Sequence, residues 1–164
     1  MATENTVRIS LRLKTDVHDA VEKAAAENGV DPATFMQSVI ERAIYPHLSD
    51  ERRKELEMTE ELFGRAQNFA RKVHAEGRFD ENFTLTVITD MMADPTTRRL
   101  YADLIGDEDI LKNGLPKKSP LNMYLGWYIK NAINAEPLLD AKGKPRRAFV
   151  KNRPIQSYTL LKLN

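Results

Sequence analysis

The chain opens on a strict alternation. Along TVRISLRL, residues 6–13, Val7, Ile9, Leu11 and Leu13 fall on one side and Arg8, Ser10 and Arg12 on the other. A period of two predicts a half-buried β-strand. Its backbone groups need a ladder partner, and the next residues read as helix, so the partner expected is the same strand of a second copy. Thr15 is placed to cap a helix from Asp16, in which Val17, Ala20, Val21, Ala24 and Ala25 make an apolar stripe on a 3.6-residue period. Asn28-Gly29 ends it, Gly29 suiting a left-handed position after the last turn. Asp31 caps a second helix with Pro32 in its first turn, and Val30 and Phe35 suit a hydrophobic staple. Phe35, Met36, Val39, Ile40, Ala43 and Ile44 give this helix a wide apolar face that stops before Pro46.

The pattern changes character after YPHLS, residues 45–49. Ser49 caps a long helix from Asp50 to about Glu76, with Leu62, Phe63, Ala66, Phe69, Ala70 and Val73 as its stripe and Gly77 at its end. FTLTVIT, residues 83–89, has the β-branched content of a strand, but Val87, Ile88, Met91 and Met92 continue at helical spacing, so helix to Ala93 is predicted. Asp94-Pro95 starts the next helix, buried through Leu100, Tyr101, Leu104 and Ile105 and stopped by Gly106. A loop over residues 107–118 leads to Ser119-Pro120 and a last helix with Leu121, Tyr124, Leu125, Tyr128, Ile129 and Ala132 as its seam. Beyond Glu136-Pro137 the chain reads as extended pieces around a turn at DAKGK. Three parts follow: residues 1–47, a connecting helix over 48–77, and a helical part with a C-terminal β-hairpin over 78–164. The fold class expected is mainly α.

Composition adds little until charge is resolved by position. The 164 residues carry a formal net charge of +1, so any affinity for a polyanion must come from local patches. The stretch 76–109 is acidic, whereas Lys142, Lys144, Arg146, Arg147, Lys151, Arg153 and Lys162 face only Asp140. There are no cysteines, which excludes disulfides and thiolate metal sites and suits a reducing cytoplasm. No apolar run reaches membrane-spanning length, and MATENT has neither the basic start nor the apolar core of a signal peptide.

Strand, helix, Gly turn and capped helix, carried by ISLRL, AENG and Asp31-Pro32, resemble the ribbon-helix-helix DNA-binding family of the Arc type over residues 6–45. The resemblance implies a homodimer whose paired strands form an antiparallel ribbon in the major groove. By position it implies Arg8, Ser10 and Arg12 as base readers, and Lys14, Ala33 and Thr34 as phosphate contacts, the last two through backbone N–H groups at the second helix start. Pro32 lacks an N–H and Asp31 carries a negative charge, a departure from the family pattern. Two helices followed by a basic hairpin resemble, more loosely, a winged-helix module. Lys142, Lys144, Arg146, Arg147, Lys151 and Arg153 would then give a second DNA contact.

Other chemistry is weakly represented. His18, His47 and His74 stand in three separate elements, and no histidine–carboxylate cluster is expected. Asp107-Glu108-Asp109 lacks calcium-loop spacing. Trp127, Tyr124 and Tyr128 suit base stacking but at helical spacing suit a core better. No catalytic residues, cofactor or metal are expected. The function expected is a bacterial or phage repressor acting on double-stranded DNA in the cytoplasm. Higher assembly on DNA and a protein partner for the C-terminal part stay open. An antitoxin and a plasmid-transfer or partition accessory protein are the rivals.

Overall fold

The computed structural model describes residues 6–28 and 30–164. Among them are six α-helices and four short strands, gathered in two compact units, Met1–Ala43 and Ile44–Asn164. The first unit contains α1, Thr15–Glu27, and α2, Pro32–Ala43, packed on each other. Helix α1 begins one residue earlier than expected. The Lys14 carbonyl accepts the His18 N–H at 2.9 Å, so Thr15 lies inside the helix and no side chain caps it. The far end follows the sequence more closely: Asn28 closes α1 and its side chain donates to the Ala24 carbonyl at 2.7 Å. The role expected of Gly29 lies outside the described residues. Asp31 caps α2 by accepting the Thr34 N–H at 3.0 Å.

The second unit is built on α3, Asp50–Ala75, preceded by a 3-10 turn at Tyr45–His47. Ser49 caps α3 by accepting the Arg52 N–H at 3.2 Å, and Gly77, at φ 72°, follows its end. Leu62, Ala66, Ala70 and Val73 are buried along one side. Against that side pack α4, Phe83–Ala93; α5, Pro95–Ile105; and α6, Lys118–Ala132. Helix α3 is thus an integral wall of the second unit. The part of it that carries Leu62 to Val73 lies in the shared core.

Local chemistry explains the boundaries. Asp94 accepts from the Thr97 N–H at 2.8 Å and its hydroxyl at 2.6 Å, Pro95 takes the first turn, and Gly106, at φ 76°, closes α5. In α4 the β-branched residues are helical because Phe83, Thr84, Val87, Ile88, Met91 and Met92 are all buried. Those positions form one wide face at helical spacing, and burial there outweighs intrinsic strand preference. Helix α6 starts at Lys118 without a side-chain cap rather than at Ser119.

The C-terminal residues form a small antiparallel assembly. β1, Glu136–Pro137, pairs with β4, Leu161–Lys162; β2, Arg147–Phe149, pairs with β3, Ser157–Thr159. Three backbone bonds close a ring between them: Arg146 N–H to the Leu138 carbonyl, Leu138 N–H to Leu160, and Leu160 N–H to Arg146. Tyr158 Oη donates to Asn82 Oδ1 at 2.7 Å and the Leu161 N–H to the Glu81 carbonyl at 3.0 Å, tying the strands to the start of α4.

Candidate nucleic-acid interface

Residues 6–13 belong to no sheet among the described residues, and every one of them is exposed. The strand expected here is therefore not formed within one chain. The alternation nevertheless has a structural counterpart. Ile9, Leu11 and Leu13 line a shallow groove of about 430 Å³ together with Met36 of α2, while Arg8, Ser10 and Arg12 do not. Val7, Ile9, Leu11 and Leu13 remain 82, 75, 60 and 39% exposed. Helix α2 buries none of its residues, and Val39 and Ile40 on its apolar face are each 47% exposed. In this unit only Ala25 is buried among the described residues. Arg8, Arg12 and Lys14 are exposed and have no carboxylate partner among the described residues.

The start of α2 departs from the phosphate clamp that the resemblance implies. The Thr34 N–H already meets the Asp31 carboxylate, and hydrogen bonds from Thr34, then from Ala33, hold that carboxyl below its usual range. A fixed negative charge thus occupies the place where a phosphate would sit. Ala33 and Thr34 become available to a phosphate only if the Asp31 side chain swings away.

In the second unit the basic residues lie on the hairpin. Asp140, the one acid there, organises the turn: its Oδ1 accepts the Lys142 N–H at 2.8 Å and the Lys144 N–H at 2.9 Å, and Gly143 turns at φ 76°. Lys142, Lys144, Arg146, Arg147, Lys151 and Arg153 are all exposed, and among the described residues none has a carboxylate within ion-pair distance. The acidic stretch, in contrast, is largely engaged. Arg78 bridges Glu76 and Asp90, Arg99 pairs with Asp103, and Lys112 with Asp107. The charge separation seen in the sequence therefore leaves the cations unneutralised. Arg147 differs from the rest: it donates to Ser157 Oγ at 2.6 Å and borders a cavity beside α6.

The aromatic residues divide as well. Phe63 of α3 stacks on Tyr128 at 4.4 Å and tilts against Tyr124 at 6.0 Å, which makes both tyrosines packing residues. Trp127 stands at right angles to Tyr124, 5.2 Å away, and borders the same cavity as Arg147. One expectation is corrected: His18, Asp19 and Glu22 do come together, their ligand atoms within 4.8 Å of one another. Helical spacing alone does this, and all three are exposed. No local sequence pattern marks Lys118 or Lys130 as a site residue. Lys118 is buried, with its ammonium donating to the Ile110 and Lys112 carbonyls at 2.7 and 2.6 Å. Burial pulls both lysines below the ordinary lysine range. No family model, curated protein or solved structure matches this chain.

Proposed function

We infer that the chain is a sequence-specific double-stranded-DNA-binding protein, a transcriptional repressor that acts as a homodimer through an N-terminal ribbon. The observation that carries this reading is the uncovered apolar row Val7, Ile9, Leu11 and Leu13, next to an α2 whose apolar face is also uncovered. Contiguous apolar surface on so small a unit calls for a cover, and a strand without a ladder calls for a second strand. Antiparallel pairing of residues 6–13 between two copies answers both. It completes a ribbon-helix-helix fold and gathers Arg8, Ser10 and Arg12 from each chain on the opposite face.

That face suits the major groove. Guanidiniums donate in pairs to guanine O6 and N7, and a hydroxyl serves either kind of base edge. Lys14 and the cations of the hairpin supply backbone contacts, which orient the protein without reading sequence. The hairpin acts in the manner of a wing on a winged-helix-like second unit. Asp31 at the start of α2 argues for weak phosphate binding there, so the register on DNA rests on the ribbon and the hairpin. The buried core of the second unit does not suit a toxin-masking tail that is disordered when free, which favours repression over the antitoxin reading. No helix among the described residues is long and apolar enough to cross a membrane, and a cytoplasmic location is part of the proposal. No catalytic role is assigned.

Sedimentation of the full chain with and without short duplexes from around its own gene tests the reading. A homodimer that binds one duplex in preference to scrambled DNA is expected. A monomer that binds all duplexes alike contradicts it.

A further inference from the structure

The second unit contains a cavity of about 610 Å³ between α6 and the C-terminal strands. Its volume falls within the roughly 300–1,000 Å³ of small-molecule sites. The chain has 24 acidic residues, yet no Asp or Glu lines this cavity, whereas Lys118, Lys130 and Arg147 do. Asp109 and Glu136 act on Lys118 and Lys130 from outside the wall, but the charged groups of the lining itself are all cationic, which favours an anion.

We propose that this cavity binds a small phosphorylated ligand with a planar ring, of nucleoside monophosphate class, its ring against Trp127 and its phosphate met by Lys130 and Arg147. This goes beyond the DNA-binding reading; Arg147 is assigned here to the cavity and not to DNA, and Trp127, Lys130 and Gly126 belong to neither the ribbon nor the hairpin.

The roles follow from what each group has already bonded. The Lys118 ammonium is satisfied by two carbonyls, so it contributes field rather than contact. Asn122, also in the wall, is likewise engaged: its Oδ1 accepts from Tyr101 Oη at 2.8 Å and its Nδ2 donates to the Pro154 carbonyl at 3.2 Å. Lys130 has no ion pair among the described residues, and Arg147 meets only the Ser157 hydroxyl, which leaves guanidinium N–H groups to donate. Both are suited to charge-assisted bonds with phosphate oxygens. Trp127, half-buried and braced by Tyr124, offers an aromatic surface for a planar ring.

Gly126 is the fourth element. It sits mid-helix in α6, where glycine costs about 1 kcal/mol relative to alanine. It also lines the cavity, and a Cβ built there would meet nothing within 4 Å. Packing within the protein therefore does not require glycine at this position. The open space beside it leaves room for an occupant to approach the helix backbone closely.

Trp127 is the only tryptophan, so its emission reports on the cavity directly. The full-length protein is titrated with adenosine and guanosine monophosphates, with adenosine and inorganic phosphate as half-ligands, and with an oligothymidylate. A saturable change with a monophosphate, weaker with either half-ligand, is expected. Lys130→Met and Arg147→Met should each weaken it about tenfold or more, the worth of one charge-assisted bond. Gly126→Leu should abolish it while the melting midpoint holds or rises. The proposal is overturned by the absence of a saturable change with both monophosphates, by a response to the oligothymidylate alone, or by binding that survives Gly126→Leu or Lys130→Met undiminished.

Discussion

Truncation of Ile9 to alanine gives the clearest quantitative consequence of a ribbon dimer. The side chain is 75% exposed in the single chain, and the paired ribbon would cover it. The change removes three carbons; at ~0.8 kcal/mol per buried methylene, the newly covered share is worth about 1.8 kcal/mol per protomer. A twofold assembly counts it twice, so Ile9→Ala should weaken dimerisation by about 3.6 kcal/mol, roughly 400-fold in the dissociation constant. Sedimentation equilibrium over a wide concentration range reads this directly. Ser10→Ala, one position along on the opposite row, is the control and should leave self-association unchanged. If Ile9→Ala associates as tightly as the parent, or if the two variants are equally impaired, the apolar row is not the seam.

Further consequences can be checked independently. Neutralising Lys144, Arg146 and Lys151 together should weaken binding to all duplexes alike and flatten log K against log salt by up to about three units; an unchanged slope would place the hairpin away from DNA. Tyr101→Phe should lower stability by about 1–3 kcal/mol, read from the denaturant midpoint, because it removes the buried donor to Asn122 and leaves an acceptor unmatched. The Asp94 and Asp107 carboxyls are held low, Asp94 chiefly by the Thr97 hydroxyl and Asp107 chiefly by the Lys112 ammonium. A depressed folded-state pKa stabilises above the unfolded carboxylate value and the benefit is lost as pH falls through the folded value. The melting midpoint should therefore drop on acidification through the carboxylate range, and Asp94→Asn should show a smaller drop; an equal drop would remove Asp94 from the cause.

Features encoded within three or four residues were legible in the sequence. Asp31-Pro32, Asp94-Pro95 and Ser49 all start helices where their spacing implies, because a cap is a contact between a side chain and an N–H three positions on. The helix starts at Thr15 and Lys118 lie one residue before the positions the pattern predicts, since neither has a side-chain cap to mark it. The α4 segment was readable as a helix through Met91 and Met92 despite its β-branched start. What could not be read was the neighbourhood of α6. Its cavity exists because the strands carrying Arg147 and Ser157 return to the side bearing Lys118, Gly126 and Lys130, and no local pattern records that return. The burial of Lys118 is invisible for the same reason: its partners are the carbonyls of a preceding loop. The Asp31 carboxylate on the Thr34 N–H was foreshadowed by its charge, which already set this chain apart from the family pattern.

Selection of bound duplexes from a random pool, run with the parent protein and with Arg8→Ala, Ser10→Ala and Arg12→Ala, tests the ribbon as the reading element most directly. The parent should enrich a sequence with twofold symmetry, matching two copies of the ribbon face. Each variant should bind more weakly by about 1–3 kcal/mol for an arginine and relax preference at particular base pairs. A pool left unenriched by the parent, or the same motif recovered at the same strength by all three variants, would contradict base reading by residues 8, 10 and 12.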